Sequence, residues 1–307
     1  MYNYKITVSY DGSRYGGWQR LEADTDILAN NNSPENISAN SSSTKNFPTK
    51  NNSIQGTLEA AVSRYLGAAA AITGSGRTDA GVSAVAQTAN FHTASELDSE
   101  NFLKNINALL PDDIVIKSVE AVPIDFHSRK NAVSKTYGYY ISLDSKPDVF
   151  AAKHVYNPAL PPVMYNGDLC ASNSDSCRQS TCNIGNCFCQ IPVNMHAMRS
   201  AADFLTGTHD FSAFTTDKTP GKSHIRTINY IDFSVIDTPA GKPILAITVN
   251  GSGFLYNMVR IIAGTLLYAG LGVIASQDIP SILRSKIRKN AGPTLPSNGL
   301  FLLEVFY

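Results

Sequence analysis

Long apolar runs are missing from this sequence. Its longest uncharged stretches are broken by Gly, Asn and Ser and fall short of the roughly 18 continuous apolar residues a membrane-spanning helix needs. Met1 to Tyr10 alternates polar and apolar residues and lacks the apolar core of about 7 to 15 residues that marks a secretory signal. Neither export nor membrane insertion is expected, and the reading is a cytoplasmic protein. Charge is also scarce: 25 Lys and Arg balance 25 Asp and Glu, and charged residues make up 16% of the chain, against roughly a quarter in an average soluble domain. Bulk charge therefore gives no sign of a polyanion binder, and any basic surface must arise locally. Cysteine is absent from all but one stretch, where Cys170, Cys177, Cys182, Cys187 and Cys189 lack the paired CxxC spacing of zinc sites. They read as reduced thiols in a variable loop, with a metal site as the open alternative. What is present is enough for one large domain or two ordinary ones: 307 residues, 43% of them hydrophobic.

Two segments stand apart. Residues 29–53 hold eight Asn and six Ser in 25 positions, a composition that cannot bury enough surface to offset its ordering entropy. Residues 161–190 carry the cysteines among Asn, Ser, Asp and Gly and read as a second insertion. The remainder can be read by period. Tyr4, Ile6, Val8 and Tyr10 alternate as a strand, and Ser53 caps a helix with Leu58, Ala61, Val62, Tyr65 and Leu66 on one stripe. Short strands are expected near 70–75 and 85–92, then a helix with Phe102, Leu103, Ile106 and Leu109 that stops at Pro111, then a strand at 114–122. The second half repeats the order with strands at 133–143, 228–236, 244–249 and 300–306 and helices at 195–205 and 255–268. Each half is βαββαβ. The predicted class is α+β, with two ferredoxin-like units, domains at 1–122 and 123–307, a mixed or antiparallel central sheet and a cleft between the units. A further helix near 279–287 has no counterpart in the first half.

The segment Gly74-Ser75-Gly76-Arg77-Thr78-Asp79-Ala80-Gly81-Val82 sets an Arg and an Asp two apart among glycines. A guanidinium beside a carboxylate keeps the latter ionised for attack or proton abstraction. A polar turn with a surface ion pair is the alternative, and no Lys-Ser or Lys-Thr follows to make a phosphate loop. Between Ile244 and Gln277, Arg260 is the one charged residue in 34 positions. Burying it is costly unless it meets an anion, and snorkelling to solvent is the other reading. Tyr137 and Tyr139 alternate onto one face of a strand, which suits either base stacking or ordinary strand core. His127, His196 and His209 are not spaced as ligands of one metal and read as structural or capping residues.

Taken together, these segments resemble the tRNA pseudouridine synthase A family. The resemblance runs through Tyr10-Asp11-Gly12, Gly17-Trp18-Gln19-Arg20, Ile54-Gln55-Gly56-Thr57-Leu58, Gly76-Arg77-Thr78-Asp79-Ala80-Gly81-Val82, Asn107-Ala108-Leu109-Leu110-Pro111, Phe126-His127-Ser128-Arg129, Lys135-Thr136-Tyr137, His209-Asp210-Phe211-Ser212, Arg226-Thr227-Ile228 and Phe254-Leu255-Tyr256-Asn257-Met258-Val259-Arg260, in family order outside the two insertions. It implies that Asp79 is the catalytic aspartate. It also implies that Tyr137 stacks on the target uracil, that Arg260 holds the aspartate in the cleft, and that Arg77 holds or flips the RNA. The implied reaction turns uridine into pseudouridine in the anticodon stem-loop of tRNA, at positions 38, 39 and 40, without metal or organic cofactor, in a homodimer. Arg14, Arg20, Arg129 and Arg226 are taken to join Arg77 and Arg260 on one RNA-binding face, since phosphate contacts depend on local charge. Ser83 stands where the family usually has His, and Ala86 where Gly is common. A catalytically inactive tRNA-binding or chaperone protein of the same fold is the alternative; an interaction protein organised by the cysteines and a nucleotide-binding enzyme are weaker ones.

Overall fold

A computed structural model describes residues 1–20, 53–144, 148–158, 193–217 and 219–307. Both insertions apart from Ser53, and with them all five cysteines, lie outside the described residues. The described residues run β1 (Tyr2–Tyr10), α1 (Ile54–Leu66), β2 (Ile72–Gly74), β3 (Ser83–Thr93), α2 (Ser99–Leu109), β4 (Ile114–Val122), β5 (Ser134–Ser142), α3 (Met195–Leu205), β6 (Gly207–Asp210), β7 (Ile225–Asp237), β8 (Pro243–Gly251), α4 (Met258–Gly270), α5 (Ile279–Ser285) and β9 (Leu300–Phe306). The expected α+β class holds. Contacts divide it into two compact units, residues 1–136 with 301–307, and residues 137–300.

In the first unit the strand order is β4-β1-β3-β9, with β2 also paired to β3. β1 is antiparallel to β3 and β4, β2 is antiparallel to β3, and β9 meets β3 in parallel at Ser83–Phe301 and Ala84–Leu302. The first four strands with α1 and α2 thus realise the expected βαββαβ order, with neighbouring strands antiparallel as a split βαβ unit requires. Alternation in β1 buries Tyr4, Ile6, Val8 and Tyr10, and the same unit buries Ile54, Leu58 and Val62 of α1 and Phe102 and Ile106 of α2. Ser53 caps α1 by accepting from the Gly56 N–H at 3.1 Å, and Gly67 closes it in the left-handed region at φ 66°. Asp98 caps α2 on the N–H groups of Glu100 and Asn101. Each cap satisfies an otherwise orphaned donor and is worth about 1 kcal/mol.

The second unit has the order β5-β8-β7-β6. β7 and β8 form a long antiparallel pair, and β6, a short polar strand absent from the sequence reading, adds to the edge of β7 between Gly207–Ile228 and Asp210–Ile225. The run around Arg260 is uncharged because α4 is buried along almost its whole length, from Met258 to Gly270. Gly264 is required there: a Cβ at this position would stand 2.1 Å from the Pro293 carbonyl oxygen. α4 begins at Met258, three residues after the expected start, because Asn257 takes φ 61° and cannot be part of the helix. The C-terminal strand, read as the last element of the second half, has most of its residues in the first unit; periodicity specifies a strand but not the sheet edge that receives it. No helix among the described residues is long and apolar enough to cross a membrane.

Candidate active site

Asp79 lies in the loop between β2 and β3, half-buried, and several backbone groups on either side of it are hydrogen-bonded. The Val82 N–H donates to the Asp79 carbonyl at 3.1 Å and Gly81 takes φ 77°. Ala80 is not in the positive-φ region, so the turn is of type II, which wants Gly at its third residue. Upstream, the Trp18 N–H donates to the Thr78 carbonyl at 3.0 Å and the Thr78 hydroxyl shares a 2.7 Å hydrogen bond with the Tyr10 phenol. Gly17, at φ 105°, is forced by this approach, since a Cβ there would lie 2.7 Å from the Thr78 oxygen. Gly74 leaves room for the Trp18 indole, 2.5 Å from where its Cβ would sit. The Tyr-Asp-Gly and Gly-Trp-Gln segments are therefore the bed on which the aspartate's loop is laid. Arg77, on the same loop, is exposed.

The start of the loop is held from two other strands. Ser75, fully buried, donates its hydroxyl to Gln87 Oε1 at 2.6 Å, and Gln87 Nε2 donates to the Gly76 carbonyl at 2.9 Å. Lys135 of β5 donates from Nζ to the Ser75 carbonyl at 2.7 Å. Burial, and next the nearby Arg129 guanidinium, lower the Lys135 ammonium to about 8. In the sequence, Lys135 is marked only by its place two positions before Tyr137, hence on the same side of the strand.

Ser83, where a His was expected from the resemblance, accepts the Gly12 N–H at 3.0 Å in a buried contact. Ser83→Ala should leave that N–H unsatisfied and cost about 1–3 kcal/mol. Urea unfolding should show a lower midpoint at unchanged slope, and an unchanged midpoint would refute it.

The arginines of the first unit differ in what they meet. Arg14 pairs with Asp113, its Nε at 2.9 Å from Oδ2, and Asp113 also accepts from the Tyr15 phenol at 2.7 Å. Burial, then that bond, raise the Tyr15 phenol well above its ordinary range. Arg20 meets the buried Glu59 at 3.0 Å; Gln55 and the Ile72 N–H complete that carboxylate's partners. Arg129 is exposed beside Lys135.

In the second unit Tyr137 is 8% exposed and meets Phe254 edge-on, centroids 5.2 Å apart. Tyr139 is core: it has no exposed surface, and its phenol donates to the Pro296 carbonyl at 2.7 Å. Arg260 donates from Nε to the Leu295 carbonyl at 2.6 Å and from Nη1 to Asn257 Oδ1 at 2.7 Å. Asn257 passes the chain on, donating from Nδ2 to Thr216 Oγ1 at 2.9 Å. Arg226 donates to the Ser223 and Ile225 carbonyls, and burial lowers its pKa. His127 and His209 make local bonds, to the Arg129 N–H and the Thr206 carbonyl. No group of three or more metal-ligating side chains occurs among the described residues.

Comparison with known proteins adds to this geometry. A family model described as tRNA pseudouridine synthase matches residues 38–129 and 201–307. The chain is 34% identical to tRNA pseudouridine synthase A of Acetivibrio thermocellus over 307 residues, covering all of both chains. It is 39% identical to tRNA pseudouridine synthase A of Bacillus subtilis strain 168 over 236 residues, 77% of this chain and 81% of that protein. To the protein of the same name in Ruminiclostridium cellulolyticum it is 34% identical over 304 residues, 99% of this chain and 98% of the other.

Proposed function

The chain belongs to the tRNA pseudouridine synthase family and is an isomerase that converts uridine to pseudouridine in tRNA, and from that premise we propose its site and its target. Asp79 is the catalytic carboxylate and the target uridines lie in the anticodon stem-loop. Isomerisation breaks the bond from uracil N1 to ribose C1′, turns the base and joins C5 to C1′. Atoms are conserved, so the reaction consumes no co-substrate. A carboxylate serves as nucleophile or takes a proton from C2′, and in either role it must be ionised and held still. The observation that carries this reading is the turn at Asp79, whose flanking carbonyls are held by the Trp18 and Val82 N–H groups and whose neighbour Thr78 is held through its hydroxyl by the Tyr10 phenol.

Tyr137, Arg260 and Arg77 are the proposed substrate-binding residues. A uridine turned out of its stack needs replacement stacking, worth about 1–3 kcal/mol from an aromatic ring, and Tyr137 would supply it. Arg14, Arg20, Arg129 and Arg226 are the proposed phosphate contacts. The reading also includes a homodimer, a cytoplasmic location and a domain division at 122/123 that follows the repeated βαββαβ order. The test is tRNA carrying tritium at uridine C5, because the new glycosidic bond must expel that hydrogen. Release confined to tRNAs with uridine in the anticodon arm supports the target. Release from a uridine elsewhere overturns it, and binding without any release returns the inactive alternative.

A further inference from the structure

We propose that Lys135 is a positioning residue for the isomerisation, its ammonium clamping the Ser75 carbonyl and so fixing the loop that carries Asp79. This rests on the reading of Asp79 as the catalytic carboxylate.

Three observations converge on it. Ser75 begins the loop and is buried completely, and its N–H, hydroxyl and carbonyl are all engaged: N–H to the Thr88 carbonyl at 2.7 Å, hydroxyl to Gln87, carbonyl to Lys135. Of these, the Lys135 bond is charge-assisted and reaches the loop from β5, a strand 60 residues away in sequence, where the others come from the adjacent β3. Gly76 is shaped to it, since a Cβ there would stand 2.6 Å from Nζ. Burial weakens the lysine's own hold on its proton, and Arg129 adds repulsion. A lysine kept in so unfavourable a place marks a position where a donor, and not merely surface charge, is needed.

Lys135→Met keeps the length of the side chain and removes the donor. In single-turnover tritium release the expected result is a fall of about 10²-fold in rate, the effect of displacing a catalytic group by about an ångström, with half-saturating tRNA concentration unchanged. Lys135→Arg should recover part of the rate. Gly76→Ala is the second variant. Its methyl meets only the flexible end of Lys135, so the loop still folds and the ammonium moves off the Ser75 carbonyl. It should lower the rate in the same way, and the double variant should be no slower than Lys135→Met, because both remove one interaction.

Binding is measured separately in the Asp79→Asn background. Equal tRNA affinity with and without Lys135→Met supports positioning. Weaker binding with a salt dependence shallower by about one phosphate contact overturns it and makes Lys135 an RNA-backbone ligand. An unchanged rate in Lys135→Met also overturns it. Should Asp79→Asn alone still release tritium, the reading of Asp79 has failed, and that outcome is visible without reference to Lys135.

Discussion

Asp79→Asn is expected to bind tRNA with the wild-type affinity and to release no tritium above background, a loss of about 10⁴-fold or more. That is the scale on which removing a covalent nucleophile or essential base acts. The amide is nearly isosteric with the carboxylate, and the turn beneath it is built from backbone groups: the Asp79 carbonyl on the Val82 N–H, the Thr78 carbonyl on the Trp18 N–H, and Gly81 at its positive φ. None of these depends on the side chain's charge. Thermal unfolding measured beside wild type shows whether lost activity can be ascribed to lost folding. Asp79→Glu separates the two demands on the group, charge and place. It keeps the charge, lengthens the reach by one carbon, and should recover little of the rate, because an attacking or proton-accepting atom must lie about 3 Å from its target. Near-wild-type release by Asp79→Asn would mean that the catalytic carboxylate is another residue.

The bed under Asp79 was partly legible in the sequence. Tyr10, Gly12, Gly17 and Trp18 stood out as a motif but with no stated purpose; the glycines turn out to be places where backbone carbonyls of the Asp79 loop, at Thr78 and Val82, come within 2.0 to 2.7 Å of an absent Cβ. Close approach between segments so far apart in the chain, Gly12 against Val82 and Gly17 against Thr78, leaves no periodic trace, whereas the helices and strands do. Ser53 could be named as a cap, and Pro111 as a stop, because both act on their own neighbours. β6 was missed for the opposite reason: four residues, Gly207 to Asp210, too few and too polar to alternate visibly. The address of β9 was missed because its parallel contact with Ser83 and Ala84 is a property of chain topology, not of the Leu-rich strand itself. The tyrosine pair could be identified as one face, but only the structure separates Tyr139, whose phenol is spent on Pro296, from Tyr137, whose ring meets Phe254. Charge was the least legible quantity. Arg14 and Arg20 pair with the carboxylates of Asp113 and Glu59, partners remote in sequence, and one-letter charge counts do not show such pairing.

Arg260 supplies the second large effect, on stability and on activity together. It is the single charge of a helix that is otherwise buried and apolar, and its guanidinium joins three segments of the second unit: Nε on the Leu295 carbonyl, Nη1 on Asn257 at the helix start, and through Asn257 the Thr216 hydroxyl. Asn257 is free to make this link because its left-handed backbone removes it from the ordinary capping role. Arg260→Met should leave the Leu295 carbonyl and the Asn257 side chain short of a donor and cost about 1–3 kcal/mol, measured as a lower urea midpoint. Arg260→Lys keeps the charge but not the fork. An ammonium can serve one of two acceptors that lie in different directions, so stability should return only in part. On the proposed role in substrate binding, turnover in both variants should fall by about 10²–10³-fold, as when one preorganised donor is taken from a site of developing charge. Tritium release measured at saturating tRNA, on protein shown to be folded at the assay temperature, separates that loss from the stability effect. If Arg260→Lys were fully active while still destabilised, the charge alone would serve the reaction, and the two bonds would belong to the fold. If Arg260→Met were active, the residue would have no part in the chemistry, and its place in so apolar a helix would belong to structural bonds such as those to Leu295 and Asn257.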